Sequence, residues 1–201
     1  FYGYISNARI VKGTAVYTAN FTPPTAPLTA ITNTSLLLSA TNSGIFDNAS
    51  KNDLETVGNA QISTTQSKFG GSSMYFDGSG DYLNIPASQN FAFGTGDFTI
   101  EGWLYLTSYG SSKTYIIGQN YFSSVFQLAP SGPTGALQFY SVSAGAYVVT
   151  GATAVPTNQW FHFALTRSGN TFRVFLNGNL DGSGTSTADA GFSPSYLLNI
   201  W

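Results

Sequence analysis

Along much of the chain, apolar side chains recur at every second position, the period of a strand rather than the 3.6 of a helix. Phe98, Ile100, Gly102, Leu104 and Leu106 alternate with Thr99, Glu101, Trp103 and Tyr105. Phe161, Phe163 and Leu165 alternate with Trp160, His162, Ala164 and Thr166, and Phe172, Val174 and Leu176 alternate with Thr171, Arg173 and Phe175. Shorter runs rich in β-branched and aromatic residues predict strands at 74–77, 82–85, 115–117, 125–128, 136–142 and 146–149. Asn177-Gly178 is a strong two-residue hairpin signal, because both residues tolerate positive φ. Ser168-Gly169-Asn170, Gly78-Ser79-Gly80 and Gly94-Thr95-Gly96 are similar breaks. No segment carries a convincing amphipathic helix, and 52–57 reads at most as a single turn. Many strands at short spacing predict an all-β sandwich of two stacked sheets. Large apolar residues on both faces of several strands predict that aromatic rings fill a second, partly covered face.

The N-terminal part reads differently. Residues 1–11 are strand-like, and the following segment contains Pro23, Pro24 and Pro27, which favour an extended, stiff connector without ladder donors. Strand character resumes at Ser35-Leu36-Leu37-Leu38. The expected organisation is therefore a strand at 1–12, a Pro/Thr-rich linker at 13–34 and a sandwich at 35–201.

Composition narrows the chemistry. Charged residues make up 8% of the 201 residues, against about 25% in an average soluble protein. Their place is taken by 24 Ser, 23 Thr and 15 Asn. The 16 Phe, 12 Tyr and 3 Trp supply ample core, so the composition is not that of a disordered chain. A net charge of -2 is too little positive charge for a nucleic-acid backbone, and no apolar run is long enough for a membrane helix. The absence of Cys excludes disulfides and thiolate metal sites, and the single His162 excludes any site built on two imidazoles. A start at Phe1, without an initiator Met, leads us to expect a processed product or part of something longer.

Two groups of residues carry a resemblance. Met74-Tyr75-Phe76-Asp77-Gly78-Ser79-Gly80-Asp81-Tyr82-Leu83 and Phe98-Thr99-Ile100-Glu101-Gly102-Trp103 resemble the first half of a laminin-G-like domain of the concanavalin A-like lectin/glucanase superfamily. Trp160-Phe161-His162-Phe163-Ala164-Leu165-Thr166-Arg167, then Gly169-Asn170 and Phe175-Leu176-Asn177-Gly178, resemble the second half in the expected order. The resemblance implies a jelly-roll sandwich of two antiparallel sheets. It also implies a structural role for His162 and an ion pair between Arg167 and Glu101 on the sheet. Phe1 to Ile10 resembles the family's last strand, yet it stands first, while the chain ends at Leu197-Leu198-Asn199-Ile200-Trp201 without it. The connector Tyr17 to Pro24 is similar to those of tandem repeats in structural proteins of marine bacteriophages and in bacterial surface proteins. A sandwich lacking a strand exposes an unpaired edge. Tyr2, Tyr4, Ile5 and Ile10 are thus assembly-strand candidates, closing their own domain, a neighbouring copy, or one period of a longer array.

Glucanases on this fold need paired carboxylates. Glu101 has Thr99 and Trp103 at the alternate positions, and the family's Glu-x-Asp-x-x-Glu pattern is absent, so a non-enzymatic module is expected. No cofactor is required by any motif. Calcium is one candidate ligand, through Asp77 and Asp81 of the Asp-Gly-Ser-Gly-Asp loop, though Asp beside Gly is common in turns for conformational reasons alone. Tyr109, Tyr115, Tyr121 and Phe122, near loops rich in Ser, Gly and Asn, are candidates for glycan binding. The expected function is an extracellular or virion-surface structural module of a fibre, appendage or filament, assembled with copies of itself or neighbouring repeats through strand packing. The alternative is a lectin-like adhesion module that binds surface glycans.

Overall fold

The computed structural model describes residues 1–49, 51–109, 114–119, 124–128 and 135–201. In chain order its strands begin with β1 (Tyr2–Lys12), β2 (Thr34–Thr41), β3 (Gly44–Asp47), β4 (Glu55–Val57), β5 (Gln61–Ser63), β6 (Ser73–Asp77), β7 (Tyr82–Ile85) and β8 (Phe98–Leu106). They continue with β9 (Thr114–Gln119), β10 (Val125–Leu128), β11 (Ala136–Ser141), β12 (Ala146–Ala154), β13 (Trp160–Ser168), β14 (Thr171–Leu176), β15 (Asn179–Thr185) and β16 (Leu198–Ile200). A short 3-10 turn at Gln89–Phe91 is the only helical element among the described residues. The expected turn at 52–57 is instead partly strand: β4 pairs with β7 through Glu55–Asn84 and Val57–Tyr82, so sheet hydrogen bonds override the local signal.

Two antiparallel sheets stack face to face, as expected of a concanavalin A-like jelly roll. One runs β15-β14-β13-β8-β1-β2-β3, with β6 on β1 and β5 on β6; the other runs β12-β11-β10-β9-β16-β7-β4. Between them lie the alternate apolar residues of both, including Ile5, Ile10, Ile100, Leu104, Phe126, Phe139, Phe161, Phe163 and Phe172, all fully buried. Phe126 meets Phe163 across the layers at 5.6 Å between centroids, and Phe98 meets Phe139 at 6.3 Å. Along one side the sheets close directly on each other, where Gly182 and Gly184 of β15 face β12. A Cβ at Gly182 would stand 2.3 Å from the Thr150 carbonyl oxygen.

Strand β1 lies inside the first sheet, within the chain's own sandwich. One side pairs with β8 from Gly3–Leu106 to Lys12–Phe98. The other side is divided: Tyr2 to Ile5 pairs with β6, and Arg9 to Val11 pairs with β2. A bulge between Ser6 and Arg9, where Asn7 has φ +50°, absorbs the change of partner. The Asn7 side chain then accepts a hydrogen bond from the Leu28 N–H.

The segment between β1 and β2 forms no strand. It crosses the outer face of the first sheet and returns. The Val16 N–H donates to Thr99 Oγ1, the Thr166 hydroxyl to the Tyr17 carbonyl, and the Phe21 N–H to the Gly178 carbonyl. This segment is the cover that the apolar residues on the second faces of β8, β13 and β14 require.

Gly102 lets β8 approach β1 closely. A Cβ there would lie 3.0 Å from Ala8 Cα and 3.1 Å from the Phe163 ring. Gly102→Ala is expected to cost about 1–3 kcal/mol by overpacking. Chemical denaturation at constant m-value checks this; unchanged stability would mean that β1 is not held so closely.

Candidate functional site

The outer face of the first sheet has two zones, built from the polar-phase positions of the same strands. In the first, Glu101 projects from β8 beneath the cover segment, fully buried. Arg9, opposite it on β1, donates Nε to Oε1 at 3.0 Å and also brings Nη2 to that oxygen. Arg9 Nη1 donates to the Thr29 carbonyl at 2.7 Å, and the Tyr17 hydroxyl donates to Oε2 at 2.8 Å. His162 Nε2 lies 3.3 Å from Oε2, but neither ring nitrogen has a hydrogen-bond partner. Tyr17 and Phe21 stack at 3.6 Å, and both rings stand edge-on to Phe175.

This arrangement corrects the implied ion pair. Glu101 pairs with Arg9, and Arg167 is elsewhere, its Nε donating to the Gly169 carbonyl and its Nη1 to the Gly94 carbonyl. The reason is phase: Arg167 shares the inward phase of Phe161 and Phe163, and at the strand end its guanidinium packs 4.8 Å from the Phe172 ring centroid. His162 is fully buried on β13, its Nε2 facing Glu101.

The chemistry of this cluster is cohesive. Burial pushes the Glu101 carboxyl up; the His162 imidazole and the Arg9 guanidinium outweigh it and hold the pKa below the ordinary carboxylate range. Burial, then the Glu101 charge, push the Tyr17 phenol well above its usual value, so it remains a donor.

In the second zone, four aromatic residues stand directly opposite one another on four adjacent strands. Tyr75 of β6 pairs with Tyr4 of β1, Tyr4 with Tyr105 of β8, and Tyr105 with Trp160 of β13. Ring centroids are 5.0, 5.6 and 5.7 Å apart along this ladder. Tyr2 joins from the side, 6.3 Å from Tyr75. All are half-buried except Tyr2, which is 39% exposed. Desolvation first, then hydrogen bonding with Tyr2, raises the Tyr75 phenol, keeping it protonated at neutral pH. Below the ladder, Trp103 is covered by Phe69 and by Lys68, whose Nζ lies 3.8 Å from the Trp103 ring centroid.

The predicted site residues are distributed over the molecule. Tyr2 and Tyr4 lie in the ladder, while Ile5 and Ile10 of the same strand point into the core. The Tyr109 hydroxyl donates to the Val155 carbonyl and its ring closes over Gly135. Tyr115 belongs to the second sheet, 5.3 Å from Trp201. Tyr121 and Phe122 lie outside the described residues. Asp81 is buried; its two oxygens accept the Asn59 and Asp77 backbone N–H groups, both at 2.6 Å. Asp77 accepts from the Ser79 N–H and from Asn59 Nδ2. The Asn59 hydrogen bond, then that from Ser79, hold its carboxyl below the usual value. All four oxygens thus serve the turn, and among the described residues no three His, Asp or Glu side chains gather to hold a metal. Tyr75, Tyr105 and Trp160 were not singled out from sequence. Their signal was their phase, opposite the core residues of each strand.

Glu101→Gln is expected to destabilise the fold by about 3–5 kcal/mol, because it leaves the Arg9 charge buried without its counter-ion. The sign with pH follows from the lowered pKa. The stabilisation is present above the unfolded Glu value of ~4.3 and is lost as pH falls through the depressed folded value. Melting curves from pH 7 to pH 2 should show an acid-dependent loss in the parent that is reduced in Glu101→Gln. Parallel curves would remove the charge pair from the account of stability.

The comparisons agree with this architecture. A family model described as the concanavalin A-like lectin/glucanases superfamily matches residues 77–200. The chain is similar in structure to domain 4 of AbnA, a GH43 extracellular arabinanase from Geobacillus stearothermophilus solved in complex with arabinotriose. The TM-score is 0.57 at 18% identity, over 77% of this chain and 76% of that one. A carbohydrate binding module, CBM66, from Bacillus subtilis matches with TM-score 0.42 at 17% identity, over 74% of this chain and 87% of that one. No curated protein matches. With more than half of its length matched by the family model, and with the two-sheet jelly roll in place, the chain belongs to the concanavalin A-like lectin/glucanase superfamily.

Proposed function

We propose that this chain is a non-catalytic carbohydrate-binding module, and that the aromatic ladder Tyr75–Tyr4–Tyr105–Trp160 is its binding surface. The observation that carries this reading is the ladder itself. Core demands explain an aromatic ring turned inward; they do not explain four half-exposed rings in register across four strands. Such rings offer apolar faces to the C–H faces of sugars, and phenol hydroxyls at their rims can exchange hydrogen bonds with sugar hydroxyls. Between the glycan-binding and fibre-building readings of the sequence, the likeness to a domain solved with arabinotriose supports the first. The non-catalytic part is supported by Glu101. Its oxygens are taken by Arg9 and Tyr17 beneath the cover segment, closed off from solvent.

Titration calorimetry with a panel of neutral and acidic oligosaccharides tests the reading. Binding is expected without any release of reducing sugar. Tyr105→Ala and Trp160→Ala should each weaken it roughly tenfold, the scale of a lost stacking contact. Binding unaffected by both variants would move the site elsewhere, and turnover of the bound sugar would overturn the non-catalytic reading.

A further inference from the structure

The shape and charge of the ladder define its ligand further, on the footing that the ladder binds sugars. Three inter-strand steps of ~4.8 Å give it a length of ~14 Å, room for about three linked sugar rings. Its direction is fixed across the strands. Adjacent rings are inclined to one another by 41°, 83° and 64°, so they form a succession of faces and edges rather than a plane. A flat crystalline polysaccharide face would touch few of them, whereas a single soluble chain can turn each sugar to meet each ring. On the β5 side, the exposed Gln61 stands opposite Tyr75 and offers an amide at that end.

Charge enters through Lys68. Its ammonium rests on the Trp103 ring, and no carboxylate or hydrogen-bond acceptor is paired with it among the described residues. Trp103 is two residues from Tyr105 on the same face of β8, which places the Lys68 charge about 7 Å to one side of the ladder. Four other cations are engaged, Arg9 with Glu101, Lys12 with the Gln89 carbonyl, Lys51 with the Thr34 carbonyl, and Arg167 with Gly94 and Gly169; Arg173, whose Nη1 is buried without a partner, stands on β14, which the ladder does not reach. Lys68 is therefore a half-buried charge beside an aromatic surface, held by a ring face on one side and lacking an anion. A cation in that position complements an acidic group carried on the edge of a sugar that is itself seated on Tyr4 and Tyr105. Asp77 lies beyond the Tyr75 end of the ladder, beside Tyr2, where it repels an anionic group and so favours one direction of the chain; Glu101, two residues from Trp103 on β8, is fully buried and paired with Arg9.

We propose that the ladder and Lys68 together form a site for a single, soluble acidic oligosaccharide of about three units, with a sugar carboxylate at the Lys68 ammonium and the sugar faces on Tyr4, Tyr105 and Trp160. The site takes the chain across the strands, and its affinity falls with salt because one contact is an ion pair near the surface.

The test uses matched probes: trimers of galacturonate, glucuronate and mannuronate, and the same trimers with their carboxyl groups reduced to alcohols. Calorimetry at low and high salt is expected to show that at least one acidic trimer binds about tenfold more tightly than its reduced partner, as for a charge-assisted hydrogen bond. Lys68→Gln should remove that preference and the salt dependence while leaving the reduced trimer unchanged. Tyr105→Ala should weaken both members of the pair, with Tyr4→Ala as a second variant should the first fail to fold. Equal binding of acidic and reduced trimers, or a preference that survives Lys68→Gln, overturns this inference and leaves the neutral carbohydrate reading standing. No binding by any of the six, together with none in the wider panel, overturns both. Concentration-dependent self-association that Tyr105→Ala abolishes would instead make the ladder a contact between copies of the chain.

Discussion

Much of this structure depends on one strand being held between three others. β1 completes the first sheet along β8 and divides its other edge between β6 and β2. That one placement brings Ile5 and Ile10 into the core, Arg9 to Glu101 and Tyr4 between Tyr75 and Tyr105. Without it, β8 and β6 would present unpaired N–H and C=O groups over a core open to water. The bulge at Asn7 is what allows both partners: it shifts the register between the two halves of β1, and pairing to β8 resumes on either side of it.

The outer face of the sheet then divides according to what covers it. Over β8, β13 and β14 the 13–33 segment lies against the sheet, and Tyr17 and Phe21 seal a buried carboxylate. A carboxylate can be buried there because it is answered by a guanidinium and a phenol, and because the guanidinium's remaining donor reaches the Thr29 carbonyl of the same segment. Cover and ion cluster therefore support each other. Across the ladder rows of β6, β1, β8 and β13 the 13–33 segment makes no hydrogen bond among the described residues, and the same outward phase leaves tyrosines and a tryptophan half-exposed. One face thus holds a covered half and an open half, distinguished by the reach of a single connector.

The aromatic residues serve two different purposes for a simple reason of phase. Phe98, Phe126, Phe139, Phe161, Phe163 and Phe172 have no polar atom to satisfy and lie between the sheets. The tyrosines Tyr4, Tyr75 and Tyr105 lie on the outside, where hydroxyls can meet water or a ligand; Trp160 shares their phase, with its Nε1 buried and unpartnered. The segregation is the ordinary cost of burying a polar group, applied along each strand in turn.

The alternation of apolar and polar residues by itself determined the strands β8, β13 and β14, the Asn177-Gly178 hairpin and the sandwich class, because those signals are local: side-chain period and turn conformation. The spaced motifs around Met74 to Trp103 and Trp160 to Gly178 pointed to the family. Only the tertiary structure decided which residues share a site. Tyr4 and Trp160 are far apart in sequence, and their meeting across Tyr105 depends on the register of two strand pairs, which no local signal carries. For the same reason Glu101 found Arg9 rather than Arg167. The choice between two arginines was made by which one the sheet places on the outward phase of the strand beside it.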